Sequence, residues 1–219
     1  YIEFTDESEE TVFDDNNYIS GPIFEYCIIE YGGSTSQSYV IKGLSYFNQC
    51  IVRYNDVGGN GSVIYSYTSS VLNVITNNYI HDNPNAVAIQ AQNATITGNT
   101  IKNNRHGIRI SDGTILISNN IISHNTGYNN SVAGISASSL EDGGVVTISD
   151  NLIFENGSTG IMLRAGENWS NDDYVIPIAT VKNNIIFNNS GNGFRAGWET
   201  YDNGDELILN LTNNIKFLN

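Results

Sequence analysis

One nine-residue segment recurs eight times along this chain, and a repeat of that kind restricts the possible fold more than composition does. The copies are FEYCIIEYG from Phe24, FNQCIVRYN from Phe47, ITNNYIHDN from Ile75, ITGNTIKNN from Ile96, ISNNIISHN from Ile117, ISDNLIFEN from Ile148, VKNNIIFNN from Val181 and LTNNIKFLN from Leu211. Each opens on an apolar residue, and its fourth position holds Cys27, Cys50, Asn78, Asn99, Asn120, Asn151, Asn184 or Asn214. By subtraction those fourth positions lie 23, 28, 21, 21, 31, 33 and 30 residues apart. A minimal unit of about 21 to 23 residues, lengthened by insertions, accounts for all of them.

Between the copies runs a second short motif, Gly-Ile-x-Ile in its commonest form. It reads Ala86-Val87-Ala88-Ile89, Gly107-Ile108-Arg109-Ile110, Gly134-Ile135-Ser136-Ala137, Gly160-Ile161-Met162-Leu163 and Gly193-Phe194-Arg195-Ala196. Each unit therefore holds three short strands. Apolar residues alternate with polar ones as in a sheet with one buried face, so Ile115, Ile117 and the Ile121–Ile122 pair are expected to point inward around a polar corner. Asn suits that corner: it tolerates the left-handed conformation, and its amide can bond the equivalent Asn one turn above and below. The expected fold class is all-β, a solenoid of about eight stacked coils with an Asn ladder.

This pattern resembles the right-handed parallel β-helix repeat family, the pectin-lyase-like architecture found in polysaccharide-active enzymes and in many periplasmic and surface proteins. The resemblance covers nearly the whole chain, 1–219, as a single domain. It implies a fold and not a chemistry. Leucine-rich repeats have a similar period but require a Leu-x-x-Leu-x-Leu pattern, which is missing.

A formal charge of −14, from 23 acidic and 9 basic side chains, repels phosphate polymers and anionic lipid surfaces, so no nucleic-acid partner is expected. No run of 18 apolar residues is available for membrane insertion. Low Lys content with abundant Asn and Tyr suggests an extracellular, cell-surface or periplasmic setting. The chain starts at Tyr1 and stops at Leu218-Asn219 after a corner Asn, so adjoining parts of a longer protein or another subunit are expected at its uncapped ends. Cys27 and Cys50 occupy adjacent rungs, within reach of a disulfide; two small buried thiols in place of the corner Asn is the simpler reading.

Insertions mark where a solenoid binds partners. Three follow the Gly-Ile-x-Ile strand: Ser138 to Gly144, Glu167 to Pro177 and Trp198 to Glu206. In-register stacking would gather them along one edge. Two share the opening Arg164-Ala165-Gly166-Glu167-Asn168-Trp169 and Arg195-Ala196-Gly197-Trp198-Glu199. Trp169 and Trp198, flanked by Arg164, Arg195, Glu167 and Glu199, suit a sugar ring that stacks on the indole while its hydroxyls bond the charged groups; packing of the loops onto the coils is the competing account. Asp172, Asp173, Asp202 and Asp205 are weak candidate hard-oxygen ligands for Ca²⁺: no EF-hand spacing is present, and solvated acidic loops are the commoner explanation.

The resemblance directs attention to the outer face of the Gly-Ile-x-Ile sheet, read here as Ala88, Arg109, Ser136, Met162 and Arg195. No carboxylate stands in that row, and glycoside hydrolysis needs two. Arg109, Arg164 and Arg195 would be the only bases there for a lyase. His81, His106 and His124 sit at unequal offsets and form no row. The sequence favours a non-catalytic extracellular module for surface structure or attachment to a polysaccharide or cell-surface glycan. Its rival is a Ca²⁺-assisted lyase or epimerase acting on uronate polymers.

Overall fold

The computed structural model describes residues 2–3, 12–14, 17–34, 38–43, 46–58, 61–66, 72–111, 113–127, 133–140, 144–165, 177–196 and 207–216. They form three parallel sheets of eight strands each, together with a two-stranded antiparallel ribbon of Val12–Asp14 and Asn17–Ser20. The first sheet contains Ile2–Glu3, Tyr39–Lys42, Ser62–Ser66, Val87–Ala91, His106–Ile110, Ile135–Leu140, Ile161–Ala165 and Phe194–Ala196. The second takes the opening of each nine-residue repeat, from Ile23–Glu25 to Ile208–Thr212, and the third takes the strand beyond the corner, from Ile28–Glu30 to Ile215–Lys216. Every neighbour within a sheet comes from the preceding or following coil, as a parallel solenoid requires.

The core is three columns of stacked side chains. Phe47, Ile75, Ile96, Ile117, Ile148 and Val181 succeed one another in the second sheet, and Val52, Ile80, Ile101, Ile122, Ile153 and Ile186 in the third, all buried. Ile41, Ile64, Ile89, Ile108, Ile135 and Ile161 fill the column of the first sheet. β-Branched Ile fits here because its restricted rotamers match a pleated surface, and like side chains about 4.8 Å apart interlock. Of the expected inward pair, Ile122 is in the core but Ile121 is exposed, since adjacent strand residues face opposite ways.

The second motif is displaced in one coil. Ile89 pairs with Ile108 and Gln90 with Arg109, so the segment equivalent to Gly107-Ile108-Arg109-Ile110 is Ala88-Ile89-Gln90-Ala91, two residues later than the sequence pattern suggested. Val87 and Ile89 are both apolar and Ala86 and Ala88 both small, so pattern alone does not separate the two registers. Backbone contact explains the small residue. A Cβ on Gly134 would collide with the carbonyl of Gly160, and one on Gly160 with that of Gly193.

The corner carries the expected ladder. Asn99 donates from its backbone N–H to Asn120 Oδ1 at 2.9 Å and from Nδ2 to the same oxygen at 3.0 Å; its Nδ2 also reaches the carbonyls of Ile75 at 2.9 Å and Thr97 at 3.1 Å. Asn78, Asn120, Asn151 and Asn184 repeat the two donations to the next coil. The left-handed residue, however, is the one before the ladder Asn: Tyr26, Gln49, Asn77, Gly98, Asn119, Asp150, Asn183 and Asn213 all have positive φ. The ladder Asn itself is held by its amide bonds.

A second ladder stands at the other end of the third sheet, on the last residue of the nine. Asn55, Asn83, Asn104, Asn125 and Asn156 each donate from the backbone N–H and from Nδ2 to the Oδ1 of the following member, ending at Asn189. It too follows a left-handed column: Tyr31, Tyr54, Asp82, Asn103, His124, Glu155 and Asn188. Two buried amide columns thus clamp five strands of the third sheet at both ends: Tyr79–His81, Thr100–Lys102, Ile121–Ser123, Leu152–Phe154 and Ile185–Phe187.

Cys27 and Cys50 are free thiols that take over the ladder position. Cys50 Sγ donates to the carbonyl of Asn48 at 3.2 Å, as Asn99 does to Thr97, and accepts the backbone N–H of Cys27 at 3.4 Å. The sulfur thereby reproduces part of the amide pattern while filling an apolar position. Burial pushes the Cys50 thiol up to about 11, which keeps it protonated and a poor nucleophile.

Two outcomes follow from the corners. Asn120→Ala removes partners from the buried N–H of Asn99 and the carbonyl of Ile96, while the carbonyl of Ser118 keeps the N–H of Gly98; at about 1–3 kcal/mol per orphaned group, the loss is expected to be about 2–6 kcal/mol in urea unfolding. Cys50 binds its proton more tightly folded than unfolded, so its contribution is whole below pH 9 and disappears as pH rises toward 11, about 2–3 kcal/mol in all. Melting temperature recorded from pH 8 to pH 11 should therefore fall more steeply for the native chain than for Cys50→Ser.

Candidate functional site

The outer face of the first sheet presents one continuous row: Lys42, Tyr65, Gln90, Arg109, Ser136, Met162 and Arg195. Gln90 takes the place that the sequence pattern gave to Ala88. From Lys42 to Arg195 every member is uncharged or cationic; among the described residues the one acid in register with them is Glu3, which pairs with Lys42 in the first strand, so the row lacks the two acids that glycoside hydrolysis needs. Arg109 and Arg195 belong to it, but three strand spacings, about 14 Å, separate them. Arg164 lies two residues beyond Met162, whereas Arg195 is paired with Met162 itself. The two Arg-Ala-Gly openings are therefore two residues out of register, and the three arginines do not converge.

Arg109 has the most unusual surroundings. Half-buried between Gln90 and Ser136, its guanidinium is pushed below the ordinary value by burial and then by the nearby Arg105. Arg195 is exposed and Arg164 half-buried.

Trp169, Trp198, Glu167, Glu199, Asp172, Asp173, Asp202 and Asp205 lie outside the described residues. The anchors of their loops are described. Ile178 donates to the carbonyl of Gly144 at 2.8 Å and Ile208 to that of Pro177 at 3.0 Å, so the loops leave and re-enter the stack at one edge, between the first and second sheets. Among the described residues no group of three His, Cys, Asp or Glu side chains is placed to hold a metal ion.

The histidines stay apart, as their offsets implied. His106 is buried in the first sheet, while His124 stands at a left-handed corner with Nε2 2.8 Å from Glu155 Oε2. His81, in the third sheet, stacks on Tyr79 at 4.0 Å and places Nδ1 2.7 Å from Asp82 Oδ2. Burial opposes ionisation of Asp82, but hydrogen bonds from His81 and Asn103 outweigh it and hold the carboxyl below its usual value.

A cluster that the motif reading passed over lies on the outer face of the third sheet in the first coils. Tyr26 and Tyr31 bracket the strand Ile28–Glu30, and Tyr54 follows Ile51–Arg53. Tyr31 stacks on Tyr54 with ring centroids 5.7 Å apart; Arg53 lies 5.3 Å over the Tyr54 ring and bonds Glu30 at 2.8 Å. All three tyrosines are left-handed, at φ of 55°, 58° and 55°, which costs a bulky residue about 1–2 kcal/mol. The sequence carried a signal: these are the third and eighth positions of the repeat, where the regular coils place Asn77, Gly98 and Asn119 or Asp82 and Asn103.

A family model for the right handed beta helix region matches residues 4–175. The chain belongs to this family. No curated protein and no solved structure gives a match. Membership fits the three parallel sheets and the buried Asn ladders, and it extends to the architecture alone.

Proposed function

We propose that this β-helix is a non-catalytic extracellular module, serving surface structure or attachment to a polysaccharide or cell-surface glycan. The observation that supports it is the outer row of the first sheet: its one acid in register among the described residues, Glu3, stands at the first strand beside Lys42, four coils before Arg109, and its two arginines stand three coils apart. Buried polar side chains along the corners are engaged in holding one coil to the next. A surface of net charge −14 favours hydroxyl-rich, uncharged partners. The loop row with Trp169 and Trp198 is the attachment site this reading assigns, with Arg164, Arg195, Glu167 and Glu199 as hydroxyl partners and the loop aspartates as Ca²⁺ ligands. On a glycan array the chain is expected to retain at least one uncharged polysaccharide, and Trp169→Ala with Trp198→Ala to weaken that retention tenfold or more. A blank array would remove attachment and leave the structural role.

One observation favours the rival, a Ca²⁺-assisted lyase or epimerase on uronate polymers. Arg109 is depressed by burial and by Arg105, the direction needed for an arginine that is to accept a proton from carbon. Incubation with polygalacturonate and alginate in excess Ca²⁺ is expected to yield no unsaturated uronide absorbance. Product that disappears in Arg109→Lys would establish the lyase and overturn the non-catalytic reading.

A further inference from the structure

We infer that the outer face formed by Ile28–Glu30 and Ile51–Arg53 is a second binding site, for an uncharged oligosaccharide, with Tyr26, Tyr31 and Tyr54 as its stacking surfaces. The inference rests on the glycan-attachment reading but places a ligand on the third sheet, whereas the long loops are anchored between the first and second sheets.

Three observations carry it. The first is exposure: Tyr26 is 70 %, Tyr31 75 % and Tyr54 44 % accessible, and Ile28 between the first two is 60 % accessible. These rings contribute little to the core, so folding alone does not account for them. The second is backbone conformation. Each tyrosine occupies a left-handed corner position at which Asn or Gly is better suited, and at which the later coils use Asn, Asp or Gly except at His124 and Glu155. A conformational cost accepted for a side chain that stays in water points to a task outside the fold.

The third is charge. Glu30 and Arg53 bond each other at 2.8 Å and flank the rings, which leaves the face with donors and acceptors but no net charge. A uronate or phosphate polymer would meet no uncompensated cation in this pair and would approach a chain of net charge −14. An uncharged sugar meets neither obstacle. Its C–H faces cover the tyrosine rings, as an amphipathic aromatic allows, and its hydroxyls bond the carboxylate and guanidinium. Tyr26 and Tyr31 are five residues apart at the two ends of one strand, at most about 17 Å, so a chain of several sugars spans both while a monosaccharide reaches one.

The test is isothermal titration with cellohexaose, xylohexaose and mannohexaose, using the whole chain. Binding of at least one is expected, and Tyr26→Asn/Tyr31→Asn should weaken it tenfold or more while leaving the melting temperature unchanged or raised, because Asn suits the left-handed corner. Tyr31→Phe, which keeps the ring face, should retain most of the affinity. A melting temperature that falls in the Asn pair would make the rings structural and overturn the site. Binding lost in Trp169→Ala/Trp198→Ala but intact in the tyrosine pair would overturn it too, with glycan attachment left standing. No heat from any of the three sugars overturns this site whatever the glycan array shows.

Discussion

The stack depends on a buried amide that is satisfied only by its counterpart in the next coil. Within the ladder an Asn such as Asn120 shows its oxygen to two donors from the preceding coil and spends its own nitrogen on carbonyls and on the next oxygen. An amide left alone at such depth is costly, so a coil shifted by one residue would strand both ladders at once. Hydrophobic columns supply most of the driving force and exclude a one-residue slip, which would turn the core side chains outward, but a two-residue slip keeps apolar residues inside, as Val87 and Ile89 illustrate. Register is fixed by the polar corners.

Much of this was legible in the sequence because each coil writes the same short pattern. The apolar opening, the corner Asn and the three strands per coil all recur, and the first ladder could be read from Asn78 to Asn214. The second ladder was equally present, as the last residue of the repeats from Asn55 to Asn189, but an Asn closing a strand reads as an ordinary polar turn until its burial is known. Register within the first sheet was less secure, since two alternating apolar residues, Val87 and Ile89, fit the motif equally well and only pairing to Ile108 decides between them.

The candidate site was far less legible, for a physical reason. A repeat predicts whatever repeats, and binding groups are departures from it. The long insertions have individual lengths and no counterpart in neighbouring coils, so their Trp, Arg and acidic residues could be named but not positioned. Two similar openings, at Arg164 and Arg195, even turned out to start two residues apart in the stack. The tyrosines of the first coils were departures of a quieter kind, single letters at corner positions, whose meaning appears only once backbone conformation and exposure are known.

The ladders also give every coil two unlike faces. Toward the following coil a ladder Asn offers N–H groups, and toward the preceding one it offers an oxygen and a nitrogen aimed at carbonyls. Such surfaces complement each other but not themselves. Should two molecules meet through exposed coils, like faces would set ladder N–H against N–H or oxygen against oxygen, so the ladders favour a head-to-tail contact, and such contacts extend into filaments unless something blocks the last face.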